Sequence, residues 1–582
     1  MAQVIAIKME APDSALCRKI VSILKAEITR RTGLPVLSGN RPHALTITLA
    51  IRAGHGKEGF RIELTGARGV RISGHDERGL LYGVSQFLRQ ASYAKGRFQP
   101  GTWEGESVPE CPVRIMYFAT HFHNFYHEAP MSEICAYIQE MALWGYNCIG
   151  VWFDMHHFNG IRDPRAQQMI RRLHAIMQAA NEVGMGAGLF VLSNEAYANS
   201  PVKMRADWTA GHDGYFLPPG GHYHVELCPN KPGAKALMLK WREEIFRAFA
   251  DVTLEYVSIW PYDQGGCTCP QCAPWGANGY LTIARPIAQL ARRYFPRAKI
   301  ILSTWRFDVF TAGEWSGLDA AFRKGGLGND IDYIISDDFD LHLQGYPLKH
   351  GVPGRRPLLN FPEISMRQMN PWGGYGANPM PEHFQKIWDI CGRKLSGGAP
   401  YSEGIFEDLN KFIISRFYWS GAMSATDAVR EYAAYYVSAR WAKAITRAVS
   451  ILEKNMDYQW QLCSCGRGFC RKNHGKAHDY GAAKVRQLFR KIDAKLPAWA
   501  RREMRWRLLM LRATLDHELI RNGGHITPAM NRAFDEITRR YHAYHADICP
   551  AVHPPNRQVQ KKMQRLQAGT DFPRAKEKPG AY

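Results

Sequence analysis

The sequence predicts an α/β protein built around a (β/α)8 TIM barrel, with a small N-terminal α/β domain before it and a C-terminal α-helical domain after it. Three observations predict this. From Pro112 to about Trp419, short apolar runs rich in β-branched residues alternate with amphipathic stretches of helical period, which is the pattern of eight β/α units. No GxGxxG follows any of those runs, which argues against a doubly wound dinucleotide-binding sheet. A chain of 582 residues is also too long for one core. The expected domains are 1–108, 109–423 and 424–582.

In the first domain "VIAIKM" reads as a strand and "DSALCRKIVSILKAEITRRTG" as an amphipathic helix with an Asp/Ser start and a Gly stop. "ALTITLAIRA", "GFRIELT" and "GVRISG" alternate as strands, and "DERGLLYGVSQFLRQ" opens the next helix. The barrel strands are expected at "VRIMYF", "CIGVWF", "GAGLFVLS", "YVSIW", "KIILSTW", "DYIISD", "PLLNF" and "GAPYSEG". Helical patterns lie between most of them, among them "MSEICAYIQEMALWGYN", "ALMLKWREEIFRAFAD" and "PEHFQKIWDICGRKL". After Ser424, which suits an N-cap, the chain reads as helices to about Asp547, followed by a polar, basic tail.

Apolar residues make up 46% and charged residues 22%, as in a globular protein, and no apolar run reaches the length of a membrane span. The N-terminus lacks the apolar stretch of a signal peptide, and 13 cysteines, an odd number, suit reduced thiols; a cytoplasmic protein is expected. The net charge of +22 is concentrated: residues 481–582 hold 21 basic and 9 acidic side chains. No nucleic-acid-binding motif accompanies them, and neither nucleic acid nor membrane is expected as a partner.

Catalytic groups of a barrel lie just past the C-terminal ends of its strands. Reading there gives His121, His123 and Asn124 after the first strand, Asp154, His156 and His157 after the second, and Asn194 and Glu195 after the third. Tyr262, Asp263 and Gln264 follow the fourth, Trp305, Arg306 and Asp308 the fifth, and Asp337, Asp338 and Asp340 the sixth. Glu363 follows the seventh, with Trp372 further along that loop, and Glu403, Glu407 and Asp408 follow the eighth. Carboxylates, imidazoles and indoles converging on one pocket are what glycosidic bond cleavage needs. One carboxylic acid protonates the leaving oxygen, a second carboxylate attacks or activates water, and aromatic faces stack on sugar rings.

The order of domains, with "EGFRIEL", "GVRISG" and "DERGLLYGVSQFLRQ" in the first, resembles glycoside hydrolases of families 20 and 67, and as a whole is similar to the α-glucuronidases of family 67. The acid and glycines after the fourth strand lead into Gly276-Ala277-Asn278, and an Asp and a Glu follow the sixth and seventh strands, as in that family. The resemblance implies a hydrolase of an oligosaccharide, one bearing a uronic acid, and a homodimer formed through the helical tail. It also implies roles: Asp263 as general acid, and Glu363 as base or nucleophile with Asp337 or Asp338 beside it. His121, His123, Asp154, His157, Glu195, Tyr262, Gln264, Trp305, Arg306, Trp372 and Glu403 would bind substrate. Two departures stand out. Family 67 takes its acid from a Glu near the fourth strand, and family 20 has Asp-Glu where this chain has Asp263-Gln264, which leaves Glu195, Glu226 and Glu403 as alternative acids. The alternatives are a β-N-acetylhexosaminidase-like hydrolase and a non-catalytic glycan-binding barrel. A metal-dependent chemistry using His121, His123, Asp154 and His157 is a further reading.

No cofactor is required for such catalysis. The CxCxxC spacing of Cys267, Cys269 and Cys272 is that of a thiolate knuckle, and a structural zinc is one reading of it. Three thiolates do not close a tetrahedron. The second cluster, Cys463, Cys465, Cys470 and His474, would share the zinc if the helical tail folds back over the barrel mouth; the other reading is that the cysteines are reduced, partly buried thiols that hold the loop.

Overall fold

The computed structural model describes residues 3–542 except 40, 121–123, 208–224, 262–265, 310, 338–344, 365–377, 403, 457–459, 463–468 and 472–477; for 457–477 no side chain is described. The N-terminal module is a six-stranded sheet in the order Val36–Ser38, Ile5–Met9, Leu45–Ile51, Gly69–Gly74, Phe60–Leu64, Gly105–Ser107. Its first three strands and Gly69–Gly74 pair in parallel, while Phe60–Leu64 runs antiparallel to its neighbours. Helix Ala15–Thr32 starts where Ser14 Oγ accepts from the Cys17 amide at 3.0 Å and stops at Gly33, as its sequence predicts. Helix Glu77–Gln90 likewise starts at Asp76, whose carboxylate accepts from the Gly79 amide at 2.8 Å. The short strands Val36–Ser38 and Gly105–Ser107, and the hairpin Ser92–Ala94/Arg97–Gln99, carry too few residues for alternation to reveal them.

The centre is a closed parallel barrel of eight strands. They are Val113–Phe118, Cys148–Trp152, Gly186–Leu192, Leu254–Trp260, Lys299–Ser303, Tyr333–Asp337, Leu358–Phe361, and an eighth in two pieces, Leu395–Gly398 and Tyr401–Ser402. Both pieces of the eighth pair with the first, Gly398 opposite Arg114 and Tyr401 opposite Tyr117, and the first pairs with the second. Every residue of the first three strands is buried, which is why they read as continuous apolar runs rather than alternations. The eighth strand starts earlier than "GAPYSEG" implies, because two glycines and a Pro weaken its pattern. Helix Glu314–Arg323, between the fifth and sixth strands, and helix Asp408–Trp419, after the eighth, also escaped the sequence reading.

Ser424 caps the first helix of the C-terminal region, Ala425–Ala433, accepting from the Asp427 amide at 3.0 Å. Helices Ala442–Lys454, Ala482–Asp493, Met504–Arg521 and Pro528–Tyr541 follow. An antiparallel hairpin, Trp460–Leu462 with Phe469–Arg471, interrupts what the sequence read as helix throughout. No helix among the described residues is long and apolar enough to cross a membrane.

Candidate active site

The C-terminal mouth of the barrel has an aromatic floor. Tyr117 of the first strand stacks on Phe190 of the third at 4.4 Å between ring centres, and Phe190 lies 6.0 Å from Trp260 of the fourth. Trp260 packs on Phe361 of the seventh strand at 4.7 Å and on Trp305 at 6.0 Å, and Tyr401 of the eighth closes on Phe361 and Tyr117 at 5.8 Å each. These rings come from five strands and one loop. Only Trp305 was singled out from the sequence, because a ring inside a strand reads as core. It is tertiary closure that gathers the other five into one surface.

The register sets two carboxylates at this level. Asp337, the last residue of the sixth strand, pairs with Phe361, and Glu363, two residues further, bridges to Tyr401. Each therefore stands next to a floor ring, and both are partly exposed. Ser336 Oγ donates to Asp337 Oδ1 at 3.0 Å.

A second acidic group forms at the ends of the second and third strands. Glu195 is buried: Trp152 Nε1 donates to its Oε2 at 3.0 Å, and His156 Nδ1 lies 2.7 Å from its Oε1. Asp154, also buried, has Oδ2 3.2 Å from His157 Nε2. Burial, with the Glu195 charge second, pushes the Asp154 carboxyl well above the usual carboxylate range. Trp152 was absent from the residues expected to shape the site. Its hydrogen bond to Glu195 could be inferred only once two neighbouring strands were placed side by side.

Trp305 and Arg306 follow the fifth strand, and Arg306 has φ +56, a conformation a non-glycine side chain adopts only when its surroundings impose it. Asp308 has a different task from the one its position suggested. It accepts from the Glu314 amide at 2.7 Å while Glu314 accepts from the Asp308 amide at 2.9 Å, a reciprocal cap on helix Glu314–Arg323. Glu407 and Asp408, read as groups at the end of the eighth strand, are likewise engaged in the fold. Glu407 accepts from Ser402 and Gly404, and Asp408 accepts from Tyr137 and Tyr432 at 2.8 and 2.7 Å and pairs with Arg505 at 2.8 Å. His121, His123, Tyr262, Asp263, Gln264, Asp338, Trp372 and Glu403 lie outside the described residues.

The thiols Cys267, Cys269 and Cys272 are buried together, and the fourth sulfur beside them belongs to Cys228, on the segment after the third strand. The sequence reading looked instead to the 463–474 cluster; Cys463, Cys465 and His474 lie outside the described residues.

No family model matches the chain, and no curated protein matches it. Solved structures do. A GH115 4-O-methyl-α-glucuronidase with specificity for decorated arabinogalactans is similar over 100% of this chain and 80% of its own, at 10% identity and a TM-score of 0.57. A GH138 enzyme targeting pectin rhamnogalacturonan II is similar over 97% of this chain and 79% of its own, at 11% identity and a TM-score of 0.56. The GH20 β-N-acetylhexosaminidase of Streptomyces coelicolor A3(2) covers 76% of this chain, with 92% of its own length matched, at 15% identity and a TM-score of 0.51. At such identities the likeness is one of fold: the chain has a glycoside-hydrolase-like architecture, a TIM barrel between an N-terminal sheet module and a helical C-terminal region.

Proposed function

We propose that the protein is a glycoside hydrolase acting on an oligosaccharide that carries a uronic acid. The observation that carries this reading is the aromatic floor with Asp337 and Glu363 set beside it by strand register. Rings at the base of a barrel mouth offer sugar faces a stacking surface, and paired carboxylates supply the acid and base of glycosidic cleavage. Glu363 is the base or nucleophile and Asp337 or Asp338 its partner, with Asp263 as general acid. Glu195, held by Trp152 and His156, positions the wall of the pocket rather than reacting. Arg306, which follows Trp305 and has a positive φ, is the proposed partner of a substrate carboxylate, which Arg binds in a two-pronged fashion. That one similar structure is a 4-O-methyl-α-glucuronidase supports the same substrate class.

The test is hydrolysis of a panel of aryl glycosides and uronic-acid oligosaccharides by wild type, Glu363→Gln, Asp337→Asn and Asp263→Asn. Loss of about 10²-fold or more in kcat/KM in Glu363→Gln and Asp263→Asn is expected. Activity surviving in both would remove these assignments, and binding without cleavage by wild type would make the barrel a glycan-binding one. The anomeric outcome follows from the carboxyl separation, about 5 Å for retention and about 6.5–9.5 Å for inversion.

A further inference from the structure

Four cysteines meet beside the barrel mouth from two stretches of chain about forty residues apart. Cys228 follows the segment in which Glu226 bridges to Glu195, and Cys267, Cys269 and Cys272 follow the fourth strand. All six pairings of their sulfurs fall within 4.8 Å, and Cys228 Sγ is 3.7 Å from both Cys269 Sγ and Cys272 Sγ. All four are free thiols, and each is buried. A tetrahedron of sulfurs at the Zn–S distance of about 2.3 Å has edges of roughly 3.8 Å, so the observed spacing is that of a thiolate shell around zinc and far from a sulfur–sulfur bond.

The surroundings are built for negative charge on sulfur. The Asp207 amide donates to Cys267 Sγ at 3.4 Å and Asn230 Nδ2 donates to Cys272 Sγ at 3.2 Å. Lys231, one residue on, bonds the Arg205 carbonyl and the Asp207 carboxylate. A dry cluster of four thiols with no metal would instead leave sulfurs crowded together with such donors aimed at them for no gain.

We propose that Cys228, Cys267, Cys269 and Cys272 bind one zinc ion, a structural site that clips the chain after the third barrel strand to the lip after the fourth. Arg205 bridges to Leu227 within the first of these stretches, and the Thr268 amide donates to the Asp207 carbonyl at 2.8 Å, a backbone bond between the two stretches that the ion would lock. The metal site does not rest on the glycosidase reading, since its readout is the metal itself.

The test is metal analysis and zinc-edge X-ray absorption of the full-length wild-type chain. About one zinc per chain, with four sulfurs at about 2.3 Å, is expected. Zinc well below one per chain, a nitrogen in the shell, or iron in place of zinc would overturn the site. Cys228→Ser is expected to lose about one zinc per chain, whereas Cys463→Ser/Cys465→Ser/Cys470→Ser keeps it; the reverse pattern would move the fourth ligand to the later cluster. Should Cys228→Ser not fold, the wild-type sulfur count decides alone.

Discussion

Arg114 sits on the first barrel strand with no exposure at all, and its guanidinium is fully used. It donates to the Cys111 and Gly145 carbonyls at 2.7 and 2.6 Å and pairs with Glu58 of the N-terminal module at 2.5 Å. Glu58 in turn meets Arg78 at 3.0 Å, and Arg78 reaches Glu255 of the fourth strand. The cationic partners hold the Glu58 carboxyl below the usual carboxylate range despite its burial. Removing one partner strands a buried charge, so Glu58→Gln is expected to cost about 3–5 kcal/mol in denaturant unfolding. A change under about 1 kcal/mol would mean water reaches Arg114. Glu453 behaves oppositely. It accepts from the Glu382 and His383 amides at 2.9 and 3.0 Å, capping helix Pro381–Cys391, yet burial pushes its carboxyl up to about 7. A folded value above the unfolded one means its contribution is fully present below about pH 4.5 and is lost as the pH rises through about 7. Wild type should therefore lose melting temperature between about pH 4.5 and 7 by a component absent from Glu453→Gln, with no further such loss above that. Parallel curves for the two would show that Glu453 is ionised throughout.

At the scale of elements, closure of the barrel depends on a glycine. Gly397 holds φ +120, and a Cβ there would overlap the Val113 carbonyl of the first strand. Gly397→Ala is expected to cost at least about 1–3 kcal/mol, read by chemical unfolding, with the eighth strand displaced from the first. An unchanged midpoint would mean the two strands separate without consequence. The glycines at this point are visible in the sequence, but they blurred the strand there, and their need arises only from the neighbour that faces them. Caps were more legible. Ser14, Asp76 and Ser424 each act on an amide three residues ahead, a distance short enough for the sequence to contain the whole interaction. Asp308 shows the limit of that legibility, since the same residue type past a strand reads equally as a catalytic group or as a cap.

The C-terminal helices complete the barrel's exterior. Trp144, on the helix after the first strand, is buried and donates to Tyr436 at 2.6 Å, and Arg505 lies over both rings while pairing with Asp408. Arg512 and Asp516, both buried, form a second ion pair at 2.7 Å, and Arg512 also bonds Asn378. Truncation after Met423 is therefore expected to expose an aromatic and ionic face, giving a barrel that aggregates on expression. A monomeric truncated barrel with the far-ultraviolet circular dichroism of a folded α/β protein would show the helical region to be separable.

What the sequence determined by itself is the succession of elements, because alternation, helical period and caps act over a few residues: the barrel, its flanking sheet module and most strand ends could be read directly. It also put Asp337, Glu363, Trp305 and Arg306 at the C-terminal ends of barrel strands, since a barrel brings those ends together whatever their sequence separation. Tertiary structure decided the rest. The aromatic floor, the Glu58–Arg114 pair and the junction of Cys228 with Cys267, Cys269 and Cys272 each join side chains that are far apart along the chain. Contacts of that kind depend on which strands become neighbours when the sheet closes, and no local pattern records that choice.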